Sequence, residues 1–187
     1  MKTDGSQTSK PYPVLINLTY SAEKNSLADA SAALSRGYAV VTISYQQLGE
    51  DSTKYRSTAF FPAYPEYDWR DISAWTWGIS RAVDYIKNDP AIDRQKIMIT
   101  GVSRLAQAVL LAGAFDERIA LTAPVAGGMA LRYSGKEMGR GLVHFRPGGH
   151  GITSEDWSAI LNFADQKLLN KNGTRRFDIL PPDSQLK

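Results

Sequence analysis

Short β-branched runs alternate with amphipathic or Ala-rich stretches along this chain, and no other feature constrains its fold as tightly. Residues 13–19 (PVLINLT) read as a strand bounded by Pro and polar residues. Residues 26–35 (SLADASAALS) read as a helix stopped at Arg36-Gly37, and 38–45 (YAVVTISY) as a strand apolar enough to be covered on both faces. Residues 46–68 are polar and aromatic, carry Pro62 and Pro65, and show no period; a loop this long inside a compact domain is usually functional. From 69 to 86, Ile72, Trp75, Ile79, Val83 and Ile86 recur at helical steps until Asp89-Pro90 ends the pattern. A strand at 96–102 (KIMITGV) runs into Ser103 and a helix to 114; further strands are expected at 119–124 and 142–147. The last helix, 155–169, presents Trp157, Ile160, Leu161, Ala164 and Leu168 on one stripe, with Thr153 or Ser154 as its cap.

Strand–helix alternation of this kind predicts an α/β fold with a mainly parallel sheet and helices on both faces. The expected organisation is a flexible N-terminus (1–10), one domain (11–169) and a C-terminal tail (170–187). In such a sheet ligands sit at the carboxyl ends of the strands.

The chain has 187 residues, 43% of them hydrophobic and 22% charged, a balance that argues against disorder. Its apolar runs are far shorter than the roughly 20 residues of a membrane helix. The excess of basic over acidic residues is +3 and scattered, with Arg175-Arg176 the only Arg pair, which argues against a nucleic-acid partner. Cysteine is absent, so thiolate metal sites are excluded and redox compartment is unconstrained. The first residues, Met1 to Lys10, are polar and lack the apolar stretch of a secretion signal.

Gly101-Val102-Ser103-Arg104 stands at a strand–helix junction. A serine there sits on a sharp turn above the sheet, at a helix N-terminus whose N–H groups favour an oxyanion. The pattern Gly-x-Ser-x-Gly fails at its last position, which is Leu105, and a serine that only caps the helix fits equally well. His150, in Pro147-Gly148-Gly149-His150-Gly151, tilts the reading toward chemistry. An α/β hydrolase carries its base late in the chain, after the nucleophile, and serine needs such a base. His144 falls within an expected strand and reads as a core residue. For an acid to orient the base, Asp116 and Glu117 look like surface residues, and the helix dipole explains Glu155 and Asp156. Glu137 is the acid left by elimination. Tyr20, after the first strand, stands either where a second oxyanion N–H is supplied or in an ordinary turn. Trp69, Trp75 and Trp77 suit stacking on a sugar ring, although Trp75 lies on the apolar stripe of its helix.

The segments Trp75–Ala82 (WTWGISRA), Asp89–Asp93 (DPAID), Gly101–Arg104, Ala114–Leu121 (AFDERIAL) and His144–His150 (HFRPGGH) resemble the glucuronoyl esterases, carbohydrate esterase family 15. The resemblance implies an abbreviated α/β-hydrolase-like fold and cleavage of esters between 4-O-methyl-glucuronic acid on xylan and lignin alcohols. It implies Ser103 as nucleophile, His150 as base and Arg104 as an oxyanion-stabilising residue, with no metal and no cofactor. It also implies an extracellular or periplasmic setting, while the polar N-terminus leaves the cytoplasm open.

The chain departs from the family pattern in several places. Where the family has Gly-Lys and the lysine contacts the sugar, this chain has Ala106-Gln107, so Gln107 takes the substrate-contact position. Where many members carry a catalytic Glu, the chain reads Val125-Ala126-Gly127-Gly128. The connection between the fourth strand and the His strand is short. The expectation is a serine esterase with an open, shallow site and weakened activity. A broader acyl or acetyl esterase and a non-catalytic carbohydrate- or partner-binding form of the fold are the alternatives. Oligomeric state is not legible.

Overall fold

Strands β1 (Tyr12–Thr19), β2 (Ala39–Ser44), β3 (Ile92–Val102) and β4 (Ile119–Val125) pair in parallel in the order β2-β1-β3-β4. They belong to a computed structural model that describes residues 10–21, 26–52, 54, 56–126 and 149–173. The helices are α1 (Ser26–Ser35), α2 (Phe60–Ala63), α3 (Asp71–Ile86), α4 (Arg104–Phe115) and α5 (Ser154–Leu168). The expected strand at 142–147, with His144, lies outside the described residues, as does Glu137. Of the expected terminal segments only Lys10 and residues 170–173 fall inside them.

Strand order fixes the layers. The chain leaves β1 in one direction to reach β2, then returns past β1 to β3 and continues to β4. Right-handed crossovers therefore put α1 on one face and α3 and α4 on the other. The alternation along the central strands agrees. Val14, Ile16 and Leu18 of β1, with Ile97 and Ile99 of β3, are buried against Trp75, Ile79 and Val83 of α3 and Leu105, Ala108 and Val109 of α4. Leu15 and Met98 point to the opposite face, where they meet Ala33 of α1 and Trp157, Ile160, Leu161 and Ala164 of α5. The fully buried Val, Leu, Ile and Met side chains among these each contribute about 1.5–3 kcal/mol.

β2 lies at one edge of the described sheet and is covered on both faces, as its apolar run predicts: Val41 and Ile43 pack on the α3/α4 side, and Tyr38 and Val40 on the α1/α5 side. Other expectations are corrected. β3 starts at Ile92, ahead of the apolar run. Its polar opening residues pair only at Tyr12↔Ile92 and are held by a Lys96–Asp93 ion pair (2.8 Å), which hydrophobic patterning cannot register. The loop 46–68 contains the single turn α2, which buries Phe60 and Phe61. Asp116 is not a surface residue: it is 7% exposed and receives two N–H bonds from the Arg118 side chain (2.7 and 2.6 Å). Asp156 does more than complement a helix dipole. It is buried, and its carboxylate accepts from the Thr153 N–H (2.7 Å) while the Thr153 hydroxyl caps α5.

Candidate active site

The chain runs from β1 and from β3 toward opposite sides of the sheet, which opens a crevice at their carboxyl ends. Leu18 of β1 is paired with Gly101 of β3. Tyr20 and Ser103, each two residues further on, therefore leave the sheet side by side at this crevice.

Ser103 occupies φ 59°, ψ −125°, a conformation that L-residues adopt only under constraint. Its N–H donates to the carbonyl of Val125 at the end of β4 (2.9 Å), and its carbonyl accepts from the N–H of Ala106 (3.0 Å). A helix cap takes β-region angles and bonds its side chain to the first turn. Ser103 does neither, for its hydroxyl makes no capping bond to α4. The turn that holds it depends on Gly101, where a Cβ would meet the carbonyl carbon and oxygen of Leu105 at 3.2 Å and Val109 Cγ2 at 3.0 Å. The motif's missing last glycine costs nothing here, because Leu105 turns its side chain into the core between β1 and α3.

Arg104 opens α4 and is held on three sides. Nη1 donates to the carboxylate of Asp51 and Nη2 to that of Asp71, while the guanidinium lies over the Trp75 ring at 5.5 Å. Burial pulls against its charge, but the bonds to Asp71 and Asp51 outweigh that and tighten its hold on the proton. Trp75 is itself fully buried and donates its indole N–H to the carbonyl of Gly49 (2.8 Å). Tyr45 stands edge-on to Trp75 (5.3 Å) and Tyr20 edge-on to Tyr45 (5.6 Å). A row of rings thus joins Tyr20 to Arg104 across the crevice.

Asp51 and Asp71 had no part in the sequence-based site. Asp71 did leave a trace: it lies four residues before Trp75, on the buried stripe of α3, where an acid survives only with a partner.

Gln107 is half-buried on α4, in the first turn of the helix and four residues beyond Ser103. Trp69 lies in the adjacent loop with its ring stacked on Phe60 (5.3 Å) and on Tyr67 (5.0 Å), and 36% of its surface is exposed. The same loop is anchored by the Phe60 N–H on the Leu48 carbonyl (3.2 Å) and by the Arg56 side chain on the Tyr67 carbonyl. His150 is exposed and lies three residues before Thr153, the cap of α5. Ile152, just after it, packs into the same apolar cluster as Val125, the residue bonded to Ser103. Tyr20, Ser103 and Arg104 are thus brought together, while Glu137 lies outside the described residues.

A glucuronyl esterase family of fungi matches residues 2–158 of the chain. A multidomain esterase from Ruminococcus flavefaciens is 39% identical over 56% of the chain, and a 4-O-methyl-glucuronoyl methylesterase from Phanerochaete carnosa is 41% identical over 49%. The chain aligns with 16% and 24% of those two relatives' lengths, so it spans a quarter or less of either. Among solved structures, a carbohydrate esterase family 15 glucuronoyl esterase from Caldicellulosiruptor kristjansonii superposes with a TM-score of 0.74 at 25% identity, covering 92% of this chain and 73% of that one. A glucuronoyl esterase from Solibacter usitatus gives 0.53 at 28% identity over 60% of this chain and 39% of its own.

Proposed function

The chain belongs to the glucuronyl esterase family, an α/β-hydrolase fold, and from that premise we propose that it is a serine carboxylic ester hydrolase acting on esters of 4-O-methyl-glucuronic acid. The observation that carries the proposal is the backbone of Ser103: a constrained turn at the crevice, with a hydroxyl not spent on capping.

In this reading the Ser103 hydroxyl attacks the ester carbonyl while His150 takes its proton. The negative oxygen that forms is held by the N–H and guanidinium of Arg104 and by a backbone N–H at the Tyr20 turn; such donors are each worth about 10²–10³ in rate. Collapse expels the alcohol, which recovers the proton from His150, and water then releases the acid by the same steps reversed. The Ser103 N–H is already committed to Val125, so it takes no part. Glu137 is the proposed orienting acid, Gln107 and Trp69 the proposed contacts to the sugar. The mechanism requires no metal and no cofactor. An extracellular or periplasmic setting suits a polysaccharide ester, and no helix among the described residues is long and apolar enough to cross a membrane.

A second reading, a broader acyl or acetyl esterase, is favoured by the neutral side chain at Gln107. The test of both is hydrolysis of a chromogenic acetyl ester beside a methyl glucuronate ester, with Ser103→Ala and His150→Ala as controls. Activity abolished in both variants supports the serine mechanism, and the preferred ester decides between the readings. Turnover of neither ester by the wild type would leave a non-catalytic, carbohydrate-binding form of the fold.

A further inference from the structure

We propose that Asp71 is a positioning residue for Arg104, fixing its guanidinium beside the Ser103 turn so that it meets the developing oxyanion already oriented; this rests on the reading of Ser103 as nucleophile. An arginine side chain carries roughly 2 kcal/mol of rotamer entropy, and a free one would spend that entropy during the reaction. Here the ordering precedes it. Asp71 is 6% exposed, and its Oδ1 accepts from the N–H of Ile72 (2.9 Å), which sets the carboxylate and leaves Oδ2 on Arg104 Nη2. Asp51 holds Nη1 from the loop side, and Trp75 supports the plane of the group. Two of the five N–H donors of the guanidinium are used in this way, and the others stay available to an anion.

The arrangement has a cost that its position explains. Placing a carboxylate on the buried stripe of α3 destabilises the fold unless a cation meets it, and an apolar residue there would pack without that demand. The two carboxylates together outnumber the single cation. Arg104 therefore acts as an aimed donor more than as a bare positive charge, and its orientation decides how much it contributes.

The experiment is a double-mutant cycle of Asp71→Asn and Arg104→Ala on a chromogenic ester, read as kcat and KM separately. Asp71→Asn is expected to lower kcat about 10- to 100-fold with KM within about threefold, the size of effect expected of a misplaced group. In the Arg104→Ala background the same substitution should change kcat no further. The side-chain Nε–H resonance of Arg104 should be sharp in the wild type and broadened in Asp71→Asn. If Asp71→Asn leaves kcat within twofold, or lowers it equally in both backgrounds, the positioning role is wrong. Should Asp71→Asn fail to fold, Asp51→Asn reads the same coupling, with a drop of about threefold that vanishes beside Arg104→Ala. A wild type that hydrolyses no ester overturns the esterase reading and this role with it, an outcome distinct from an active enzyme whose cycle shows no coupling.

Discussion

The amide of Ser103 donates to the carbonyl of Val125 at 2.9 Å, which ties the turn above β3 to the end of β4. The turn is thus braced from the neighbouring strand, and the surrounding structure holds Ser103 at φ 59° against its own preference. Glycine adopts this conformation without penalty. Ser103→Gly is expected to be about 1 kcal/mol more stable than Ser103→Ala, with both inactive. Chemical denaturation of the two variants checks it, and equal stabilities would mean that the backbone is not strained.

Gly101 is where a side chain has no room. Gly101→Ala sets a methyl against the carbonyl of Leu105 and against Val109, neither of which is the far end of a flexible chain. The expected cost is about 1–3 kcal/mol, with α4 displaced and esterase activity falling with it. A variant as stable and active as the wild type would show that α4 can yield at no cost.

At the other end of the site, Thr153 caps α5 three residues after His150. Thr153→Ala should remove about 1 kcal/mol of stability and leave Asp156 buried without its hydroxyl partner. Because the cap fixes where the His150 segment enters the helix, kcat should fall in material that is still fully folded, and Thr153→Ser should restore it. Unchanged kcat in the folded Ala variant would detach the cap from the site.

Acid sensitivity has a separate origin. The Arg118 side chain, bonded to Asp84, holds that carboxyl below its ordinary range. At Asp116 burial works in the opposite direction, but the bonds from Arg118 prevail and the net shift is again downward. A depressed native value means that the stability from these pairs is present above the ordinary carboxylate range, near pH 4, and is lost as pH falls through the depressed values. Arg118→Ala should therefore be less stable than the wild type at pH 7, and the difference should shrink steadily below pH 4. A gap that stays constant to pH 2 would assign it to packing instead of charge.

The sheet and its helices were legible because their signal is local. Val14 to Leu18 alternate between the two helix layers, and Trp75, Ile79 and Val83 recur with helical spacing. What escaped the sequence depends on partners distant along the chain. Asp51 and Asp71 meet at Arg104 only after the loop has folded back over α3, and the buried Asp116 shares the Arg118 guanidinium with Asp84, which lies on a different element. Ser103 was ambiguous for another reason. A cap and a constrained turn use the same residue at the same junction, and only the backbone angles tell them apart.

The loop between β2 and α3 is fastened to the site near its start, through Gly49 to Trp75 and Asp51 to Arg104, and knitted by its own aromatic rings further along. The entropy of these tethered residues is surrendered when the chain folds. Under the proposed function, an ester would meet them as a wall already in place, and selection among esters would rest on how well a molecule fits that fixed rim.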